Sequence, residues 1–109
     1  VVQLKKAGIR VVSIITNAAL LSSRRATELL LAGVDRVYIS IDSLNAEVFE
    51  RIRRGLRFEQ VYGNILEFLR LRSTLRPATR VRVTMVQCDL NASEGESFRQ
   101  HWRRHLAGG

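Results

Sequence analysis

Three short stretches place polar side chains where binding chemistry could occur: Thr16-Asn17, Ser40-Ile41-Asp42 and Arg82-Val83-Thr84. Hydroxyl, amide, carboxylate and guanidinium groups are the donors and acceptors with which a protein holds a polar small molecule. The second stretch is the most informative. Along Arg36-Val-Tyr-Ile-Ser-Ile-Asp42, the residues Val37, Ile39 and Ile41 alternate with Tyr38, Ser40 and Asp42, the two-residue period of a strand with two unlike faces. A strand set between helical segments belongs to a parallel sheet, and such strands usually read apolar on both faces. Here one face carries a phenol, a hydroxyl and a carboxylate, which need partners if buried. That face is expected to look into a polar, ligand-holding interior, with the carboxylate at the C-terminal end of the strand.

Each stretch also has a structural explanation. The Asn of Thr16-Asn17 can bond its own backbone in a turn, and Asp42-Ser43 can cap a helix beginning at Ala46. Their coincidence at strand C-terminal ends, the edge where βα sheets and barrels bind ligands, favours a site. Other motifs carry less. His101 and His105 sit four apart on the last helix, a spacing that could hold a metal, but no Glu lies between them and the third soft ligand in view, Cys88, is distant. Phe98 and Trp102 claim that helix's buried face, so both histidines are expected on the solvated flank beside Arg103 and Arg104. Cys88, without an identifiable histidine partner, reads as a small buried residue and not a nucleophile. No glycine fingerprint of a dinucleotide-binding turn and no Walker loop occurs. The turn Asn17-Ala-Ala-Leu20 is too bulky for close approach to a pyrophosphate.

The elements that must position these groups alternate along the chain. Strands are expected over Arg10–Thr16, Arg36–Asp42 and Arg80–Gln87. A helix over Val1–Ala7 ends at Gly8, a natural left-handed cap. Another, capped by Ser22 or Ser23, turns Ala26, Leu29, Leu30 and Gly33 to one side. A short helical stretch, Ala46–Arg53, precedes a longer one from about Glu59 to Ser73 with Val61, Ile65, Phe68 and Leu69 inward, and Pro77 prevents its continuation. Asn91-Ala-Ser-Glu94 has capping-box character and opens the last helix, with Phe98, Trp102 and Leu106 at four-residue intervals. The segment Ala7-Gly8-Ile9-Arg10-Val11 echoes Ala32-Gly33-Val34-Asp35-Arg36-Val37, as any helix that stops at Gly and feeds a buried parallel strand would. Strand and helix in alternation mean right-handed crossovers, in a doubly wound sheet or a (βα) barrel.

Composition sets the outer bounds. A chain of 109 residues with 46% apolar content can build one small core. Its only Met is Met85, it opens inside an expected helix and it stops just after another, so it reads as an interior piece of a longer protein. No apolar run approaches the roughly 20 residues that span a bilayer, and no signal peptide is visible. The single Cys allows no internal disulfide, which fits a reducing cytoplasm. The charge of +8, from 18 Lys and Arg against 10 Asp and Glu, raises a second reading: a non-catalytic basic βα module that binds RNA or another polyanion. The positive residues are scattered, and no aromatic-rich strand interleaves with them as a stacking platform would require, so nucleic acid is disfavoured. An ordinary (βα) barrel enzyme would need a Lys, a His or paired carboxylates at the strand ends, where only Asp42 and Asp89 are on offer.

The same residues carry a family resemblance. The order Ile15-Thr-Asn17 with Leu20-Leu21, then Val37-Tyr-Ile-Ser-Ile-Asp-Ser43, Phe49-Glu-Arg-Ile-Arg53 with Gly55, Phe58-Glu-Gln-Val61 and Asn64-Ile65 resembles the middle of a radical S-adenosylmethionine enzyme. Val81-Arg-Val-Thr-Met-Val86, followed by Asn91 and Glu94, continues the likeness, which covers nearly the whole chain. It is most similar to the branch with auxiliary-cluster C-terminal extensions, which includes the molybdopterin-biosynthesis cyclase, sulfatase-maturing enzymes and peptide-modifying enzymes.

The resemblance implies an α/β fold: an incomplete (βα)6 barrel, TIM-like, with residues 1–109 supplying about its third to fifth parallel strands. It implies an enzyme of oxidoreductase or maturase type, in the full-length protein, with S-adenosyl-L-methionine and a [4Fe–4S] cluster as cofactors. It also implies a reducing electron donor, and a peptide or small metabolite as substrate. The three-cysteine loop, the glycine-glycine-glutamate segment and the sixth strand of the family are absent from this chain, so the piece alone is expected to bind no cluster and to be inactive. Matching positions carry roles. Ser40 resembles the residue that bonds the cofactor's ribose, and Arg53 the arginine that meets the methionyl carboxylate, with Arg51 or Arg54 as alternatives. Thr16 and Asn17 match the Thr-Asn after the third strand, with Ala18 in place of the usual glycine. Arg82 lies where some relatives place a basic lumen residue, for which an anionic partner is expected. Asp42 joins them as a strand-end carboxylate.

Overall fold

The computed structural model describes residues 7–8, 10–86 and 88–107. Three parallel strands form one sheet in the order β1-β2-β3, with β1 at Ser13–Thr16, β2 at Arg36–Ser40 and β3 at Arg80–Thr84. Helix α1 (Ser23–Leu31) joins β1 to β2, and α2 (Ala46–Ile52) with α3 (Phe58–Leu75) joins β2 to β3. A 3₁₀ turn, Ala92–Glu94, leads into α4 (Gly95–Ala107). This is the parallel α/β arrangement of strands alternating with helices that the pattern predicts, and it is consistent with part of a βα barrel. The helix expected over Val1–Ala7 lies outside the described residues apart from Ala7, as does Gln87 at the expected end of β3.

All three strands are shorter than the apolar patterns predict, for identifiable reasons. Before Ser13 the ladder gives way to side-chain bonding: Val12 N–H donates to Asp35 Oδ2 at 2.8 Å while Val12 C=O accepts from the N–H groups of Asp35 and Arg36. Beyond Ser40 one backbone bond continues, from Ile41 N–H to Thr84 C=O, and then the chain turns. Local chemistry sets the helix ends. Ser22 Oγ accepts from Arg25 N–H at the start of α1. Gly33 takes φ +90°, a left-handed value that suits glycine, just after α1. Asn45 caps α2, and the Glu50 carboxylate of α2 accepts the Phe58 N–H at the start of α3.

Register explains the core. Val37 pairs with Val81 and Ile39 with Val83, so these four share one face. Val37, Ile39 and Ile41 are fully buried there, in one cluster with Leu30, Ile65, Phe68, Leu69, Phe98 and Trp102. Burying each such aliphatic side chain is worth roughly 1.5–3 kcal/mol. The inward residues expected of α3, Val61, Ile65, Phe68 and Leu69, are all buried. On the opposite face Arg36 pairs with Arg80, Tyr38 with Arg82 and Ser40 with Thr84; the three arginines are exposed, and Tyr38, Ser40 and Thr84 are partly buried.

Candidate functional site

Ser40 and Thr84 lie side by side at the C-terminal ends of β2 and β3, their hydroxyl oxygens 3.4 Å apart. Tyr38 and Arg82 follow on the same face toward the strand starts, as the alternation predicts. Arg36 and Arg80 complete this face. With Tyr38, Val81 and Arg82 they line a concavity of about 370 Å³ that contains no carboxylate. Of these three arginines only Arg82 is among the residues expected at the site. Arg36 and Arg80 were legible in principle, since residues two apart on neighbouring strands in register must share a face.

Asp42 lies two residues beyond Ser40, just past the end of β2, and is buried, at 4% exposure. It does not cap α2, because Asn45 does so by accepting from Val48 N–H. Instead Asp42 Oδ2 accepts a 2.6 Å hydrogen bond from Arg53 Nε, a contact across 11 residues that closes α2 back onto the end of β2. The Arg53 side chain is 42% exposed, against 5% for that of Asp42. Among the described residues no side chain takes the Arg53 Nη groups. The geometry therefore brings Asp42 and Arg53 together, and distinguishes Arg53 from Arg51 and Arg54, neither of which pairs with a strand-end residue.

Thr16 and Asn17 do not join this group. Register sets Thr16 beside Ile39, on the helix-covered face, and Asn17 is exposed. Their side-chain oxygens accept from the N–H groups of Ala18 and Ala19, at 3.0 and 2.9 Å. They build the turn that the structural explanation offered. Ala18 occupies the left-handed region at φ +66°, so the tight turn forms without glycine. Asn64 on α3 holds it by donating to Ala18 C=O at 2.9 Å.

Two further expectations are corrected at α4. Asn91 and Glu94 form no capping box, because the Asn91 amide is engaged by main-chain groups of Asp42, Val86 and Cys88 and the Glu94 side chain reaches across to the β2 loop. The Glu94 carboxylate accepts the Ser43 hydroxyl at 2.6 Å and the Leu44 N–H at 2.9 Å. His101 is not on a solvated flank. It is half-buried, with Nε2 2.7 Å from the Tyr62 hydroxyl and its ring edge-on to Trp102 at 4.9 Å; His105 is exposed. Burial, then the charges of His105 and Arg104, lower the His101 pKa below its ordinary value, and burial raises that of the Tyr62 phenol. Cys88, expected to be buried, is exposed.

Two cofactor classes can be tested against these groups. An iron–sulfur cluster held by three thiolates does not fit them: the chain has one Cys, and no group of three His, Cys, Asp or Glu among the described residues could hold a metal. A polar ligand with a hydroxylated sugar and a carboxylate does fit, because paired hydroxyls and a guanidinium fork lie at the strand ends. No helix among the described residues is long and apolar enough to cross a membrane.

Comparison with known proteins adds the family. The model of the Radical SAM superfamily matches residues 1–94. The chain is 45% identical over 60 residues to a GTP 3′,8-cyclase of Peptoclostridium acidaminophilum, which is 55% of this chain and 18% of that protein. It is 45% identical over 64 residues to a GTP 3′,8-cyclase of Alkaliphilus oremlandii, 59% of this chain and 20% of the relative. A third such cyclase, from Listeria welshimeri, is 46% identical over 54 residues, 50% of this chain and 16% of the relative. The matched stretch thus spans about a fifth or less of the length of these curated relatives. No solved structure matches the chain.

Proposed function

The chain belongs to the radical SAM superfamily, and from that premise we propose that it is part of an enzyme whose cofactor it grips through Ser40 and Arg53. Membership brings the family's cofactors, S-adenosyl-L-methionine and a [4Fe–4S] cluster. Bound together, they supply reductive cleavage of the sulfonium and a 5′-deoxyadenosyl radical that abstracts hydrogen from substrate. In this reading residues 1–109 are about the third to fifth strands of an incomplete (βα)6 barrel, and the cluster ligands come from elsewhere in the protein.

The observation that carries the reading is the location of Arg53. It is tied to the C-terminal end of β2 through Asp42, while its Nη groups meet no described side chain. A fork so placed suits the methionyl carboxylate, because guanidinium and carboxylate match as two parallel hydrogen bonds. Ser40, beside Thr84, can both donate to and accept from a ribose hydroxyl. Thr16 and Asn17 serve this site indirectly, by shaping the neighbouring turn.

The finer reading is a cyclase-like member of the branch with auxiliary-cluster extensions, in preference to a peptide-directed maturase. The three GTP 3′,8-cyclase relatives favour it. So does the cluster of Arg36, Arg80 and Arg82 on the open sheet face, which suits a phosphorylated small-molecule substrate. A cytoplasmic location and a reducing electron donor belong to the same reading. The alternative of a basic module for RNA is supported by the +8 charge alone.

The test is anaerobic reconstitution of the full polypeptide containing this chain, with 5′-deoxyadenosine measured after reduction in the presence of S-adenosylmethionine. Its release, and its loss in Arg53→Ala, is expected. The absence of any three-cysteine cluster loop in the region preceding Val1 would overturn the reading.

A further inference from the structure

We propose that Asp42 is a positioning residue: it aims the Arg53 fork at the carboxylate of an aminoacyl-bearing nucleoside, and touches no ligand itself. The inference rests on the reading of Arg53 given above.

Three features carry it. First, the bond is made through Nε. A guanidinium has five N–H donors, and Arg53 gives Asp42 the one nearest its stem. The two Nη groups at the far end are left as the pair that can meet a carboxylate end-on. Second, Asp42 is fixed from the other side. Its backbone carbonyl accepts from the side-chain amide of the fully buried Asn91 at 2.6 Å, so it is anchored to the loop after β3. Third, Asp42 is enclosed. Its Oδ1 is buried without a hydrogen-bond partner, which rules out direct reach to a ligand in the open groove and leaves Arg53 as the group through which its charge acts. A buried carboxylate with one unbonded oxygen is costly, and a helix cap at this turn is already supplied by Asn45. The arrangement is economical only if the guanidinium must be held in one orientation, since a free arginine side chain loses rotamer entropy each time it binds.

The experiment measures equilibrium binding to the full polypeptide by calorimetry, with two probes. S-adenosylhomocysteine carries the amino-acid carboxylate, and 5′-methylthioadenosine lacks it. Asp42→Asn keeps the shape and one acceptor oxygen but removes the charge. It should weaken S-adenosylhomocysteine roughly tenfold, and Asp42→Ala more, with 5′-methylthioadenosine left unchanged within about twofold. The double variant Asp42→Ala/Arg53→Ala should bind no worse than Arg53→Ala, because both remove the same contact. Arg53→Lys should lose S-adenosylhomocysteine as Arg53→Ala does, since one ammonium cannot serve Asp42 and a ligand as a planar fork does. Equal loss of both probes in Asp42→Asn would mark Asp42 as merely structural and overturn the proposal. So would wild-type binding in Arg53→Lys, a result that holds even where Asp42 variants do not fold. Unchanged S-adenosylhomocysteine binding in Arg53→Ala would instead remove the cofactor reading itself.

Discussion

The side-chain amide of Asn91 donates to the main-chain carbonyl of Asp42 at 2.6 Å, which ties the loop after β3 to the loop after β2. The same amide donates to Val86 C=O at 3.1 Å, and its oxygen accepts from Cys88 N–H at 2.7 Å. One buried side chain thus satisfies three backbone groups from two loops. Glu94, three residues on, adds its bonds to Ser43 and Leu44. The two βα loops beside Ser40, Asp42 and Thr84 are therefore held in a fixed relation to each other by the fully buried Asn91 and the partly buried Glu94.

Replacing Asn91 with Ala should destabilise the fold by about 3 kcal/mol, because it orphans buried backbone donors and acceptors. Asn91→Asp should be at least as harmful, since it sets a carboxylate oxygen against two carbonyls. Urea denaturation of the variants measures both. A loss below about 0.5 kcal/mol in Asn91→Ala would show that the loops hold without this tie.

The core face of the sheet and its open face should differ in their response to truncation. Ile39 is fully buried, and Ile39→Ala should cost about 2–5 kcal/mol. Arg82→Ala, on the open face, should shift stability by no more than about 0.5 kcal/mol. Comparable losses at the two positions would contradict the register that pairs Ile39 with Val83 and Tyr38 with Arg82.

How much of this was legible in the sequence depends on the range of the interaction. The alternation of Val37, Ile39 and Ile41 with Tyr38 and Ser40 reported the two faces of β2 correctly, because pleating is a local property of the backbone. The helical periodicity of α3 did the same for Val61, Ile65, Phe68 and Leu69. What local spacing does not give is the partner of each polar group. Asp42 bonds through its carboxylate to Arg53 and through its main-chain carbonyl to Asn91, 11 and 49 positions away. Glu94 stands at capping-box spacing from Asn91 and bonds instead across 50 and 51 residues. His101 lies beside Arg103 and Arg104 on α4, whereas Tyr62 on α3 decides its surroundings. In each case a polar side chain finds a partner through the tertiary fold, which no local spacing encodes.

Ala18 offers a test of the turn after β1. It is fully buried and takes φ +66°, where a Cβ is strained and a β-branched side chain far more so. Ala18→Val should destabilise by at least about 2 kcal/mol, from strain and from overpacking together. Ala18→Gly should come out within about 1 kcal/mol of the parent, since relief of strain is offset by the lost methyl burial and the freer unfolded chain. Thermal unfolding distinguishes the two. A tolerated valine would mean that the turn can relax away from the left-handed geometry.

The Tyr62–His101 contact should make stability fall as the solution is acidified. In the folded protein the imidazole is half-buried between Tyr62, Trp102 and His105, and burial together with the charges of His105 and Arg104 disfavours its protonation. In the unfolded chain the same ring takes up a proton at about pH 6.5. Below that pH the unfolded state binds more protons than the folded one, so acidification shifts the balance toward unfolding. The stability contributed by neutral His101 is fully present above the unfolded value and is lost as pH falls through the lower folded value. The other depressed group, Glu67, sits in an exposed pair with Arg70 and titrates below this window. Denaturation midpoints measured from about pH 7.5 to pH 5 should decline in the parent, and the slope should flatten in His101→Phe, which keeps an aromatic ring beside Trp102 but cannot titrate. Tyr62→Phe should lower stability at neutral pH by about 1 kcal/mol, through loss of the hydroxyl that bonds the neutral ring. An unchanged pH slope in His101→Phe would assign the acid sensitivity to other groups.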